Sequence, residues 1–170
     1  MPSKLTDVGS SLVLRAGTPL VVVAGGAADN VAQVGPWIDR RPLTDIGLPS
    51  LSPRIEGPYE SGVLAFVLDC TLAAAVTVIF SAKVQTAVDS SGTGAADYNS
   101  ITIPASVVAT GPGGGGRVIV TARVNVAFNL STANQYVGYT YTCNISTAAV
   151  DTVTVTPIWV FGGSDVVPVV

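Results

Sequence analysis

Gly116-Arg117-Val118-Ile119-Val120-Thr121-Ala122-Arg123-Val124-Asn125-Val126-Ala127-Phe128-Asn129-Leu130 is the stretch that decides the fold class. Val118, Val120, Ala122, Val124, Val126 and Phe128 fall on one face of an extended chain. Ile119, Thr121, Arg123, Asn125 and Ala127 fall on the other. A period of two with one apolar face is the mark of a half-buried antiparallel strand. Val, Thr and Ile together supply 54 of the 170 residues, and β-branched side chains fit a pleated sheet.

The same pattern recurs on both sides. Residues 135–145 put Val137, Tyr139, Tyr141, Cys143 and Ile145 on one face, with Gly138, Thr140, Thr142 and Asn144 opposite. Residues 152–161 place Val153, Val155, Pro157, Trp159 and Phe161 against Thr152, Thr154 and Thr156. The proline inside predicts an edge strand or a bulge there. Residues 62–72 and 75–84 give two more strands, with core faces Leu64, Phe66, Leu68, Cys70, Leu72 and Val76, Val78, Phe80, Ala82, Val84. Residues 97–109 and 12–24 are weaker candidates, each interrupted by a proline. Asp89-Ser90-Ser91-Gly92-Thr93-Gly94 and Gly111-Pro112-Gly113-Gly114-Gly115-Gly116 are loops. No run has the 3.6-residue period of a helix. The expected fold is all-β: an antiparallel β-sandwich of jelly-roll type, carrying an extended proline-rich N-terminal arm.

At 17.2 kDa the chain supports one core of ordinary size. Its hydrophobic share of 48% and mean hydropathy of +0.55 argue against disorder. Charged residues make up only 11%, with a net charge of -3 and no clustered Lys or Arg, so no nucleic-acid footprint is expected. Histidine is absent, which removes Ser-His-Asp and Cys-His catalysis and His-ligated zinc. Glu and Lys number two each, so aspartate is nearly the only general acid or base available. No enzyme activity, cofactor or metal is expected. The opening residues lack a signal-peptide pattern and no apolar run approaches the roughly 20 residues of a membrane helix, so a soluble chain with no membrane partner is expected. Cys70 and Cys143 then read as buried free thiols.

Residues 25–61 differ from the rest. They hold Pro36, Pro42, Pro49, Pro53 and Pro58, and half of the arginines: Arg40, Arg41 and Arg54. Prolines at that spacing block sheet and favour extended backbone, and the length exceeds an ordinary loop. This divides the chain into residues 1–60, an N-terminal strand and arm, and residues 61–170, the sandwich. An arm lying across a neighbouring subunit is the preferred expectation, with a loop packed on its own sandwich as the alternative. Trp37, Ile38, Arg40, Arg41 and Arg54 are the expected interface residues, because aromatic and arginine side chains dominate interface hot spots. The apolar end, with Val169 and Val170, adds a segment suited to pairing with another chain.

Other motifs give little. The glycine run lacks the Lys-Ser/Thr and the helix that a phosphate loop needs. Asp89-Ser90-Ser91-Gly92 has no second copy for an aspartic dyad, and reads as a turn capping its own backbone. Asp89 and Asp97 share one loop but lack calcium-site spacing. Tyr139 and Tyr141 fall on the apolar face, which favours core packing over a sugar platform. Asp69 needs a partner, and Arg123 is the expected one.

One resemblance rests on the order of parts between residues 61 and 167. Val67-Leu68-Asp69-Cys70-Thr71-Leu72 precedes an alternating strand and the Asp-Ser-Ser-Gly turn. Val107-Val108-Ala109-Thr110-Gly111-Pro112 leads into the glycine run. Val124-Asn125-Val126-Ala127-Phe128-Asn129-Leu130-Ser131 is followed by Tyr136-Val137, then Asp151-Thr152-Val153, Val160-Phe161-Gly162-Gly163 and Val167-Pro168. In this order the chain resembles capsid decoration, or cement, proteins of tailed bacteriophages. The resemblance implies a minor capsid protein, made in the host cytoplasm and located on the capsid surface of the virion. It would bind the major capsid protein and bridge neighbouring subunits. Self-association as a homotrimer is implied in preference to a dimer, and no catalytic residue carries over. In that setting Trp37→Ala weakens capsid binding and leaves the sandwich folded. A tail or head–tail joining protein and a carbohydrate-binding or adhesion module are the alternatives.

Overall fold

Alternating sequences become paired strands because neighbouring side chains face opposite sides of a pleated sheet. The structure, a computed structural model, describes residues 12–40, 61–124, 128–147 and 150–162. The strands within them are β1 (Leu12–Arg15), β2 (Leu20–Val23), β3 (Gln33–Val34), β4 (Ile38–Asp39), β5 (Ser61–Leu72) and β6 (Thr77–Ala87). They continue with β7 (Ala96–Thr110), β8 (Gly116–Arg123), β9 (Phe128–Asn129), β10 (Tyr136–Ile145) and β11 (Thr152–Gly162). One sheet runs β1-β11-β5-β8, with β2 also on β11 and β9 also on β5. The other runs β3-β10-β6-β7, with β4 also on β10.

Taking β1 with β2, β3 with β4, and β8 with β9 as interrupted strands gives the orders 1-8-3-6 and 2-7-4-5 among the described residues. The pairs 1 and 8, 2 and 7, 3 and 6, 4 and 5 are the rungs of one long hairpin rolled into two facing sheets. This is jelly-roll topology, as the alternation predicts. Strands β1 to β4 belong to the same two sheets as the strands after residue 61.

The inward faces named from sequence on β5, β6, β10 and β11 are buried, while Val118 and Val120 of β8 are only partly so. Leu64, Phe66, Leu68, Cys70 and Leu72 on β5 meet Val78, Phe80, Ala82 and Val84 on β6 and Val137, Tyr139, Tyr141 and Cys143 on β10. Phe66 packs its ring against Phe80, Tyr139 and Tyr141 at centroid distances of 5.0, 5.3 and 5.4 Å. Cys70 and Cys143 are free thiols in this core, and burial pushes them up to about 11 and about 12.

The proline of β11 does not make it an edge strand: β11 lies between β1/β2 and β5. The reason lies in its neighbour. Arg15 pairs with Ile158 and Leu20 with Val155, so the four residues 16–19 stand opposite only Thr156 and Pro157. Ala16 N–H donates to the Pro157 carbonyl at 3.0 Å. A strand residue points its N–H and C=O to the same side, so the N–H that proline lacks faces this break. Towards β5, Pro157 sits opposite Phe66 and gives up no ladder bond. The Ala16 carbonyl, turned inward by the break, accepts the Tyr139 hydroxyl of the opposite sheet at 2.7 Å.

The partner of Asp69 is Arg117 rather than Arg123. Arg117 Nε and Nη2 donate to its two oxygens at 2.7 and 2.6 Å. Register decides this: Asp69 lies opposite Ile119, two residues from Arg117, whereas Arg123 lies opposite Ala65. Among the turns, Asp151 is a buried tie. Its Oδ1 accepts the Ala73 N–H at 2.5 Å and its Oδ2 the Thr147 hydroxyl at 2.7 Å, joining the turn after β10 to the turn after β5. Those bonds, the Ala73 N–H first, hold its carboxyl below the usual range.

Two outcomes are expected. Tyr139→Phe leaves the Ala16 carbonyl buried without its partner, and urea unfolding should show a loss of about 1–3 kcal/mol. The Asp151 tie stabilises the fold above the ordinary carboxylate pKa of about 4 and weakens as pH falls through the depressed native value. Asp151→Asn should therefore flatten the acid limb of stability against pH, measured as Tm between neutral and acid pH.

Candidate functional site

The residues expected to contact a partner separate into two groups. Arg41, Arg54, Val169 and Val170 lie outside the described residues. Trp37, Ile38 and Arg40 lie together on a strap, residues 31–40, laid along β10. Val34 pairs with Thr140, Gln33 with Tyr141, Ile38 with Val137 and Asp39 with Tyr136. The strap rests on the chain's own five-stranded sheet, so residues 25–40 follow the own-sandwich alternative.

Each anchor has a local cause. Pro36 interrupts the ladder between β3 and β4, which frees Trp37 from strand geometry. The indole lies half-buried between Gly138 of β10 and Gly92 of the β6–β7 loop. A Cβ on Gly138 would stand 2.7 Å from Trp37 Cε3, and one on Gly92 would overlap the indole nitrogen. Only glycine at both places leaves the slot open. Arg40 is 6% exposed. Its Nε donates to the Asn134 carbonyl at 2.9 Å and its Nη2 to the Ala133 carbonyl at 2.6 Å. Asp39 accepts from Gln135 Nε2 at 2.9 Å. Arginine here satisfies the buried Ala133 carbonyl and a second, part-buried one at Asn134.

Beside the strap, the outer face of the same sheet carries a shallow groove of about 340 Å³. Ser81 and Lys83 of β6, Thr140 and Thr142 of β10, and Thr102 and Pro104 of β7 line it. Lys83 Nζ is 2.8 Å from Asp97 Oδ1, and Asp97 also accepts from Gln85 Nε2 at 2.9 Å. Lys83, then Gln85, hold the Asp97 carboxyl below its usual range. The groove offers hydroxyls and a neutralised cation. That set can donate and accept hydrogen bonds. Sequence reading missed this groove. The alternation of Thr140 and Thr142 marks the outward face, but which strands flank it is a matter of pairing.

Asp89 and Asp97 do not converge on a cation site. Asp89 Oδ1 accepts Ser91 N–H at 2.9 Å, Ser91 Oγ at 2.7 Å and Thr93 N–H at 3.0 Å, the self-capped turn expected of this motif. Among the described residues no group of three or more Cys, Asp or Glu is placed to hold a metal. Tyr139 and Tyr141 are core residues, and Tyr98 is buried with its hydroxyl 3.0 Å from the Asn129 carbonyl. Exposed large apolar side chains on outward strand faces include Val21 and Val23 on β2, Val34 on β3, Ile79 on β6, Val107 on β7 and Ile119 on β8.

The sequence matches no known family, and no curated protein matches it. Among solved structures, the chain is similar to "Structure of infectious bursal disease virus Gx strain" at 12% identity and a TM-score of 0.45, over 93% of this chain and 33% of that one. It is similar to "Crystal structure of infectious bursal disease virus VP2 subviral particle" at 10% identity and a TM-score of 0.41, over 89% and 31%. The chain thus spans about a third of the length of those chains. The jelly-roll assignment rests on this chain's own strand order.

Gly138→Ala should drive the Trp37 indole from its slot. The expected result is a red-shifted tryptophan emission and a loss of about 1–3 kcal/mol in chemical unfolding. In a Trp37→Ala background the same change should cost clearly less, because the two groups share one contact.

Proposed function

We propose that this chain is a non-enzymatic structural protein of a virion, bound to the outer capsid surface, where it cements the shell by bridging capsid subunits. The observation that carries this reading is the chemistry of the outer sheet faces. Here they present Val21, Val23, Val34 and Ile119 among threonines and serines, and the charged side chains Lys83, Asp97, Asp69 and Arg117 are paired with one another. Such a surface suits close packing against protein.

The topology alone does not choose a function, since capsid, lectin and cupin domains share it. The order of sequence parts that resembles phage decoration proteins tips the reading to a shell. Binding energy for the mature shell adds to its stability by mass action, and contacts to several subunits multiply it. The partners are the major capsid protein and further copies of the chain. A glycan-binding reading finds its hydroxyls in the groove, but Tyr139, Tyr141 and Trp159 are buried in the core.

Co-sedimentation with cognate capsids, before and after shell expansion, tests the proposal. Saturable binding to the expanded shell, at a stoichiometry set by capsid symmetry, is expected. A folded protein that pellets with neither shell would overturn it.

A further inference from the structure

An antiparallel sandwich with open sheets must deal with its edges, since each edge strand offers unpaired N–H and C=O groups to any other strand. Among the described residues this jelly roll has four edges, and three carry recognised guards. The β1/β2 edge is broken by residues 16–19. The β3/β4 edge is two short pieces separated by Pro36. β7 contains Pro104, register shifts against β6, and positive φ at Asn99 and Ser100. The fourth edge, β8/β9, is interrupted beyond Arg123, but its long piece β8 has no proline and pairs with β5 in unbroken register from Gly116 to Arg123.

The direction of its free groups can be read from one bond. Val124 N–H donates to the Leu64 carbonyl of β5 at 3.2 Å. Alternate residues of a strand address the same neighbour, so the even-numbered residues of β8 face β5. The N–H and C=O groups of Arg117, Ile119, Thr121 and Arg123 therefore point away from the sheet. Ile119 is 56% exposed, and the inward-facing Val118 and Val120 are only partly covered. No described strand lies beyond them.

We propose that β8 pairs antiparallel with β8 of a second copy of this chain, about a twofold axis at Ile119, joining two sheets into one. The strand is its own complement. In this register Ile119 meets Ile119 of the second copy, Val118 meets Val120, and Arg117 meets Thr121, each hydrogen-bonded pair exchanging two main-chain bonds. Charge selects the register. Moving the axis to Val120 sets Arg117 directly opposite Arg123, a like-charge pair, and moving it to Val118 sets Ile119 against Arg117. With the axis at Ile119, Arg117 keeps its own Asp69 and meets only a hydroxyl. The pair is isologous, so it closes as a dimer and leaves no further edge of this kind. It departs from the threefold association implied by the sequence resemblance. It does not depend on the capsid reading, because it concerns the free protein in solution.

The test is the mass of the full chain by sedimentation velocity across a concentration series, without capsids. The expected mass is twice 17.2 kDa, and Ile119→Lys should halve it with an unchanged circular-dichroism spectrum. Ile119→Cys should give a reductant-sensitive dimer on a denaturing gel, because the axis brings position 119 against itself. Val107→Cys, equally exposed on β7, should not. A wild-type chain that stays monomeric, a trimer, an oligomer indifferent to Ile119→Lys, or absence of the cross-link at position 119 would each overturn the proposal.

Discussion

A proline in the middle of a central strand is the constraint around which this jelly roll is arranged. Pro157 cannot donate to a ladder, so the strand it faces on that side has to yield. It yields at residues 16–19, where two extra residues separate β1 from β2. The break would leave the main chain of Ala16 buried and half-paired. Its N–H goes to the Pro157 carbonyl and its carbonyl to the Tyr139 hydroxyl. The latter bond crosses between the sheets, so one local defect also fixes how the two layers sit. A tyrosine among apolar neighbours is retained because its hydroxyl has this single, specific acceptor. Burial accordingly pushes the Tyr139 hydroxyl well above its ordinary pKa.

Local alternation is a property of neighbouring residues, and it was legible. The inward faces of β5, β6, β10 and β11 and the self-capped turn at Asp89 all follow from short windows of sequence. Pairing depends on residues far apart in the chain, and there the reading failed in specific ways. Pro157 suggested an edge, but the compensating break lies some 140 residues earlier (about a whole domain away). Arg123 and Arg117 both lie on the polar face of β8, and only the β5–β8 register separates the true partner of Asp69 from the false one.

The strap illustrates a second kind of limit. Trp37 and Arg40 have the composition of an interface hot spot, and they do occupy an interface: the one between residues 31–40 and the rest of the same chain. Aromatic anchoring and arginine-to-carbonyl bonding follow the same physics within a chain as between chains. The discriminating signal is steric. Glycines at 92 and 138, a loop and a strand distant in sequence, open one slot for one indole. Nothing in the windows around either glycine shows that they meet.

The outer surface separates fold from function. A jelly roll needs its inward faces to be apolar and leaves its outward faces nearly unconstrained. Where selection for solubility alone acts, charge usually fills such freedom. In this chain valines, an isoleucine, threonines and serines fill much of it, and Asp69 with Arg117 and Lys83 with Asp97 spend their charges on each other. Exposed apolar side chains cost little singly but invite association when they line a regular sheet. Among the described residues, the β1/β2, β3/β4 and β7 edges are broken or irregular, whereas β8 is regular from Gly116 to Arg123. An edge of that kind is what the proposed pairing of β8 with a second copy would complete.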